Sequence, residues 1–358
     1  MEFLFIREST AGDDESMVAL HRKLIDYLRY LTCPELDWIQ VEVTTRCNTA
    51  CSYCPHTLFS KSWLSHDMSM ETYDRLKPAF KNTGLVFLQG WGEPLLHEDI
   101  LRMLEIAKKL GCMTGTTTNG ILIDDEVANS LVNLDVDIVA LSLAGVGENN
   151  DNRRGVAFSS VKDAIESINR SKRNRGKEKP ALHIAYMALK SNFDDLFSLP
   201  EAIAEHGIEE LVVSVLDFVP HETLADESLT AEFLESGDRP VKLDNLRRKL
   251  MSQGTNVHYR FPTSRQVGLE CPENVGRSMF ISADGSVSPC VYLGLPISGV
   301  VPDYQRPDSK AQRLVFGNVN KSSLSSIWNK RRYREFRQRM DSGTPDEACI
   351  GCRRLFTT

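Results

Sequence analysis

Three cysteines lie within eight residues near the start of the chain, with the spacing C-x3-C-x2-C: Cys47, Cys51 and Cys54. Three thiolates on one short loop can hold three irons of a 4Fe–4S cluster and leave the fourth iron open to a small molecule. A zinc site completed by His56 is the alternative, since zinc also accepts three cysteines and one histidine. The spacing favours an iron–sulfur cluster and leaves zinc open.

A second group of four cysteines lies in the last quarter of the chain: Cys271, Cys290, Cys349 and Cys352. Four thiolates in two separated pairs can complete one tetrahedral zinc site, or they can hold a 4Fe–4S cluster without an open iron. The interval between Cys290 and Cys349 is much longer than the usual zinc-ribbon linker of about 15–20 residues. Cys33 and Cys112 stand alone, and we expect both to be buried as small apolar residues.

The elements that must position the first cysteine group alternate between short apolar runs and amphipathic stretches. Strands are predicted at residues 39–44, 85–89, 113–117, 137–143, 182–188 and 211–216. Helices are predicted between them, near residues 70–80, 98–110, 124–132, 158–171 and 193–206. Such alternation implies parallel βα units. Six units predict an α/β fold built as an open (β/α)6 partial TIM barrel, short of the eight units of a closed barrel.

Residue types suited to ligand binding follow the ends of several predicted strands. The second strand leads into residues 90–93, where glycines let the backbone approach a ligand and Glu93 supplies an anion for an ammonium group. Asn119 follows the third strand, and Ser142 lies at the end of the fourth. The carboxyl ends of the strands form the rim on which βα barrels build their active sites. We therefore expect these residues to share one site with the first cysteine group.

The cysteine loop resembles the C-x3-C-x-φ-C signature of the radical S-adenosylmethionine superfamily, with Tyr53 in the aromatic position. Residues 90–94 resemble the GGEP motif of that family, with Trp91 in place of the second glycine. Arg154, which precedes a glycine, resembles the element that meets the methionine carboxylate, whereas Ala144 stands where the family has aspartate.

This resemblance implies two cofactors at one site. Cys47, Cys51 and Cys54 would hold a 4Fe–4S cluster whose open iron binds S-adenosylmethionine. The residues implied to bind S-adenosylmethionine itself are Tyr53, Gly90, Gly92, Glu93, Asn119, Ser142 and Arg154.

The C-terminal part resembles the SPASM/twitch auxiliary-cluster domains of radical enzymes, through Cys271-x13-Gly285-x4-Cys290 and the segment 316–328. Only six residues follow Cys352 and none is a cysteine, which favours the shorter twitch form. The resemblance implies a second, auxiliary 4Fe–4S cluster on Cys271, Cys290, Cys349 and Cys352. The predicted organisation is a helical lead-in (1–36), the partial barrel (37–220), connecting helices (221–265) and a small α+β twitch-type cluster domain (266–358).

The resemblance also implies an activity. A low-potential electron donor of the flavodoxin or ferredoxin type would reduce the first cluster, and cleavage of S-adenosylmethionine would give a 5′-deoxyadenosyl radical that abstracts hydrogen from a substrate C–H bond. The auxiliary cluster would accept an electron, which favours a net oxidation or a maturation of a peptide, small molecule or cofactor. The alternatives are a cofactor-maturation protein for a tungsten oxidoreductase and a non-catalytic iron–sulfur electron carrier or sensor.

The amino-acid composition of the chain argues against two kinds of partner. The chain has 358 residues, with 42 Lys and Arg against 49 Asp and Glu, and this net charge of −7 argues against a general nucleic-acid binder. It has no apolar run of the roughly 18 residues needed to cross a bilayer. We therefore expect a cytoplasmic protein without a membrane or nucleic-acid partner. Asp217 and His221, after the sixth predicted strand, are the candidates for acid–base catalysis.

Overall fold

The computed structural model describes residues 35–219, 221–263, 271–299, 301–302, 310–311, 313–350 and 352–356. Its centre is a sheet in which seven parallel strands follow one another in chain order. These strands are β1 (Leu36–Val41), β2 (Thr83–Leu88), β3 (Met113–Thr118), β4 (Ile138–Leu143), β5 (Ala181–Ala188), β6 (Ile208–Val215) and β7 (Asn256–Arg260). The six strands predicted from the sequence are β1 to β6, and their order and parallel direction match an open barrel.

Helices connect the strands and cover the sheet. Those of the barrel are α1 (Pro55–Leu58), α2 (Met70–Asp74), α3 (Lys77–Phe80), α4 (Ile100–Lys109), α5 (Asp125–Asn133), α6 (Glu148–Arg154), α7 (Phe158–Arg175) and α8 (Leu199–Ala202). In α4 the buried residues Ile100, Met103, Leu104 and Ala107 recur at helical spacing and face the core. In β4 most side chains are buried, whereas in β5 buried side chains alternate with half-buried ones.

The C-terminal part continues the same sheet beyond β1. Strand β8 (Ser278–Ile281) pairs in parallel with β1, and β9 (Ser286–Ser288) turns back antiparallel to β8. Helices α9 (Ala231–Glu235) and α10 (Arg239–Ser252) lie between β6 and β7 in the chain. The C-terminal part also contains β10 (Val301–Pro302), β11 (Lys310–Ala311), β12 (Gly317–Asn318), α11 (Leu324–Trp328) and α12 (Arg331–Asp341). Because β1 pairs with both β2 and β8, one strand joins the barrel to the C-terminal part.

Several sequence predictions differ from the structure. The segment 221–265, predicted as connecting helices, also contains β7, which lies at the sheet edge beside β6. Only Val257 of β7 is fully buried, so its sequence lacks the apolar run of an interior strand. The predicted helix at 193–206 is a 3-10 helix (Lys190–Ser198) followed by the short α8. The helical lead-in (1–36) lies almost entirely outside the described residues. Within those residues, we find no helix with the length and apolar character of a membrane span.

Candidate active site

The first cysteine group lies on the loop that leaves β1, at the carboxyl-terminal rim of the sheet. The Thr49 hydroxyl lies 3.1 Å from the Cys47 sulfur and 3.6 Å from the Cys51 sulfur, so it bridges the two. The Cys51 thiol donates to the carbonyl of Arg154 (3.7 Å), and the Cys54 N–H donates to the carbonyl of Cys51 (3.1 Å). These contacts hold the three sulfurs on one compact turn.

Burial controls the protonation of these thiols. It raises the pKa of Cys47 above its ordinary value and that of Cys54 to about 12. Both groups are therefore neutral thiols near pH 7 in the protein without metal. Because a metal binds the thiolate, loading of this loop must release protons.

The glycine-containing loop after β2 lies directly against the cysteine loop. A Cβ atom on Gly92 would overlap the carbonyl oxygen of Thr44 and lie 2.6 Å from that of Arg46. Glu93 N–H donates to the same Arg46 carbonyl (2.8 Å). Gly92 is thus required for the close approach of these two loops.

Glu93 places a carboxylate at the floor of the site and is only 3% exposed. It accepts hydrogen bonds from the Thr118 hydroxyl (2.7 Å), the Asn119 N–H (2.7 Å) and the Leu95 N–H (3.1 Å). Burial raises its pKa, and these donors together with the Arg154 charge oppose that rise. Since a carboxylate offers about four lone-pair sites, one remains for a further donor such as an ammonium group.

Arg154 lies at the end of α6 and is 2% exposed. Its Nη1 donates to the carbonyl of Ser142, whereas its Nε is buried without a hydrogen-bond partner among the described residues. The neighbouring Arg153 instead donates to the carbonyl of Ser191 (2.7 Å). A buried guanidinium N–H without an acceptor is costly, so this geometry favours an anionic ligand at Arg154.

One cavity unites these features. The cysteine loop and β3 are tied together across it, because Asn119 Nδ2 donates to Asn48 Oδ1 (2.7 Å). All residues predicted to hold the first cluster and S-adenosylmethionine line this cavity: Cys47, Cys51, Tyr53, Cys54, Gly90, Gly92, Glu93, Asn119, Ser142 and Arg154. His56 lines it as well.

The donor set fits the cofactors that the sequence implies. It combines three thiols on one turn, a buried carboxylate, and a guanidinium N–H that has no acceptor within the part of the chain that the structure describes. Within the residues that the structure describes, no three His, Cys, Asp or Glu side chains are already arranged as ligands of a metal ion.

The second cysteine group lies beside β8 and β9. Cys271, Cys290 and Cys352 are close enough for the charge of one thiolate to raise the pKa of another, and burial raises the pKa of Cys271 to about 11. The Cys352 N–H donates to the carbonyl of Cys349 (2.9 Å), which makes a tight knuckle. The Tyr333 side chain, on α12, lies near Cys290. The cysteines predicted to form the auxiliary site are thus brought together from distant parts of the sequence.

The structure places Asp217 and His221 outside the cavity that holds the first cysteine group. Asp217 accepts from Arg354 Nη1 (2.8 Å) and from the Tyr292 hydroxyl (3.1 Å), and Arg354 Nη2 also pairs with Glu273 (2.5 Å). His221 is exposed, and its Nδ1 lies 2.9 Å from the Thr223 hydroxyl. Asp217 therefore belongs to a buried ion-pair network at the boundary with the C-terminal part.

Sequence reasoning missed two residues that shape the site, Glu42 and Arg354. Glu42 is fully buried, and its signal is a lone carboxylate in the apolar sequence Ile-Gln-Val-Glu-Val that runs from β1 into the following loop. Arg354 has no such local signal, because its partner Asp217 lies 137 residues earlier.

Comparison with known proteins defines the class. Residues 41–196 match the family model of the radical SAM superfamily, and residues 271–353 match that of SPASM, an iron–sulfur cluster-binding domain. The chain belongs to the radical SAM superfamily and carries a C-terminal SPASM domain. It is therefore an enzyme whose cofactors are a 4Fe–4S cluster, S-adenosylmethionine and auxiliary iron–sulfur. This excludes the non-catalytic carrier or sensor and the zinc alternatives considered from the sequence.

Individual relatives are modifying and maturation enzymes. The chain is 24% identical over 313 residues to the tungsten-containing aldehyde ferredoxin oxidoreductase cofactor-modifying protein of Pyrococcus furiosus, covering 84% of this chain and 83% of that protein. It is also 24% identical over 368 residues to the AdoMet-dependent heme synthase of Oleidesulfovibrio alaskensis, covering 91% of this chain and 84% of that one.

Solved structures share the fold. Streptococcus suis SuiB bound to S-adenosylmethionine gives a TM-score of 0.61 at 16% identity, over 97% of this chain and 77% of SuiB. Native anSMEcpe with bound AdoMet gives 0.63 at 19% identity, over 89% of this chain and 88% of that one.

Proposed function

We propose that this enzyme uses radical chemistry to mature a cofactor-type small molecule, with the first cluster on Cys47, Cys51 and Cys54. The observation that carries the proposal is the cavity in which these thiols meet Glu93 and the Nε of Arg154, which has no hydrogen-bond partner among the described residues. When bound, the cluster and S-adenosylmethionine supply one-electron reduction and hydrogen-atom abstraction.

The side chains of this cavity have distinct tasks. Glu93 holds the ammonium group of S-adenosylmethionine, and Arg154 holds its carboxylate. Glu93 is fixed for this task by the donors of Thr118 and Asn119. Tyr53, Gly90, Gly92, Asn119 and Ser142 line the remainder of the pocket. Both charged groups are almost fully buried, so little water competes with S-adenosylmethionine for their hydrogen bonds.

Cys271, Cys290, Cys349 and Cys352 would hold the auxiliary 4Fe–4S cluster, which would supply an acceptor for the electron that a substrate radical gives up on oxidation. A low-potential flavodoxin or ferredoxin supplies the electron to the first cluster. We also place the protein in the cytoplasm, where thiols stay reduced.

Two observations support a cofactor-type substrate. Relatives that align over more than four-fifths of both chains are named for cofactor modification and for heme synthesis. The structure also has an apolar cluster in which the partly exposed rings of Phe59, Trp63, Trp91 and Tyr292 pack against the buried residues Phe218, Leu295 and Ile297. Such a wall suits a flat, largely apolar molecule.

The site is tested by measuring 5′-deoxyadenosine release from anaerobically reconstituted protein under dithionite at a series of S-adenosylmethionine concentrations, which gives the affinity for S-adenosylmethionine. We expect Arg154→Lys to reduce S-adenosylmethionine affinity by about tenfold or more, because lysine keeps the charge but loses the planar fork. Arg153→Lys is the matched control on the same helix and should keep wild-type affinity. Equal effects of the two variants would contradict the assignment.

The substrate class is tested by adding iron-coproporphyrin III or an unstructured peptide to the reduced enzyme. We expect the tetrapyrrole to increase deoxyadenosine formation, since a bound substrate consumes the radical productively. Stimulation by the peptide and not by the tetrapyrrole would overturn the proposed substrate class while leaving the cofactor site intact.

A further inference from the structure

Glu42 is a fully buried carboxylate that the radical chemistry does not use. Its Oε1 accepts from the Trp91 N–H (2.9 Å) in the loop after β2, and its Oε2 accepts from the Ala283 N–H (3.4 Å) in the turn between β8 and β9. One donor therefore comes from the glycine-containing loop after β2, and the other comes from the SPASM domain. The charged groups that face Glu42 are Asp284 and Arg313, which form an ion pair with each other.

The space beside Gly90 is filled by this carboxylate. A Cβ atom on Gly90 would lie 2.5 Å from both Cβ and Oε1 of Glu42. The absence of a side chain at Gly90 thus makes room for Glu42, so the two residues form a matched pair.

Trp91 makes a second connection between the same two regions. Its indole N–H donates to the carbonyl of Val291 (3.1 Å), and its ring meets Tyr292 edge-on with centroids 5.9 Å apart. Val291 directly follows Cys290, and Trp91 is two residues before Glu93. Trp91 is also the position at which this chain departs from the glycine of the GGEP motif.

We propose that Glu42 and Trp91 form a latch that positions residues 90–93 from the SPASM domain, so that the integrity of this domain sets the affinity for S-adenosylmethionine. Both are positioning residues, because they act through the backbone of the loop. The connection works in both directions, since a coupling between two sites is reciprocal.

The affinity of reconstituted protein for S-adenosylmethionine, measured by anaerobic equilibrium dialysis, tests the latch. Trp91→Phe keeps the aromatic contact and removes only the indole donor, and we expect it to weaken binding by roughly fivefold or more. Glu42→Gln and Gly90→Ala should weaken binding similarly, because each disturbs the same carboxylate. Trp38→Phe, on β1 shortly before Glu42, is the control and should bind normally.

A thermodynamic cycle separates coupling from a local effect. Cys352→Ala disturbs the SPASM domain, and we expect it to weaken binding roughly fivefold in wild type but by less than about twofold when Trp91 is already Phe. Hydrogen exchange of the SPASM-tethered loop at 89–93, without S-adenosylmethionine, should rise in Trp91→Phe while exchange in β4 stays unchanged. The proposal would be overturned if the effects of Cys352→Ala and Trp91→Phe on affinity simply added. It would also be overturned if Trp91→Phe kept both the affinity and the hydrogen exchange of wild type.

Discussion

The ion-pair network around Arg354 gives a prediction that separates a structural from a catalytic role for Asp217. Arg354 and Asp217 are 5% and 7% exposed, and the Asp217 carboxylate also accepts from Tyr292. The perturbation is Asp217→Asn, which removes the charge and keeps the size. It leaves the buried guanidinium with Glu273 as its other acidic partner.

The magnitude follows from the cost of an incompletely paired buried charge. Removing one partner of a buried ion pair costs about 3–5 kcal/mol, and the remaining Glu273 contact favours the lower end, about 3 kcal/mol. In a large domain each kcal/mol of lost stability lowers the midpoint of thermal unfolding by about 2 °C, so this midpoint should fall by about 6 °C. Combining Asp217→Asn with Arg354→Met should cost less than the sum of the single changes by at least about 1 kcal/mol.

Differential scanning calorimetry of the reconstituted protein measures these shifts. Asp226→Asn, an exposed carboxylate in the same segment, is the control and should move the midpoint little. An unchanged midpoint together with lost product formation would refute the structural role and restore Asp217 as an acid–base candidate.

Three further changes have defined outcomes. Gly92→Ala should abolish binding of S-adenosylmethionine in equilibrium dialysis, because its methyl group overlaps the Thr44 carbonyl; normal binding would contradict the required loop contact. Burial raises the pKa of Glu42 from 4.5 to about 7. Between these pH values the Glu42 carboxyl ionises in the unfolded chain but stays protonated in the folded one, so the free energy of unfolding of wild type should decline as pH rises. Denaturant unfolding from pH 4.5 to 8 should show a decline of at most about 3 kcal/mol in wild type and none in Glu42→Gln. The same pH dependence of unfolding free energy in both proteins would refute this role of Glu42. Phe316→Ala removes a ring stacked on Tyr333 at 4.0 Å and should cost about 3–5 kcal/mol of unfolding free energy, whereas a loss below about 1 kcal/mol would contradict the packing.

The barrel was predictable because its strands are local apolar runs. Strands β2 to β6 each lie within three residues of the predicted span, and the site residues follow strand ends whose common rim is dictated by parallel topology. The local sequence is sufficient there, since strand direction alone brings the loops together.

The remaining features depend on contacts between distant residues. Strand β7 could not be predicted from its own sequence, because only one of its residues, a valine, is buried. It is recognised as a strand by its pairing with β6. The buried state of Glu42 depends on a turn more than two hundred residues later, and the partner of Asp217 lies near the end of the chain. Gly90 lines the cavity, and the space that a Cβ atom would need there is taken by Glu42, a contact that the local sequence does not reveal.

The most direct test of two cluster sites is the iron and acid-labile sulfide content per chain after anaerobic reconstitution. Wild type is compared with a variant in which Cys47, Cys51 and Cys54 are alanine. The account predicts about eight irons in wild type and about four in the variant. A variant that retains all of its iron would contradict the assignment of a cluster to the cysteine loop.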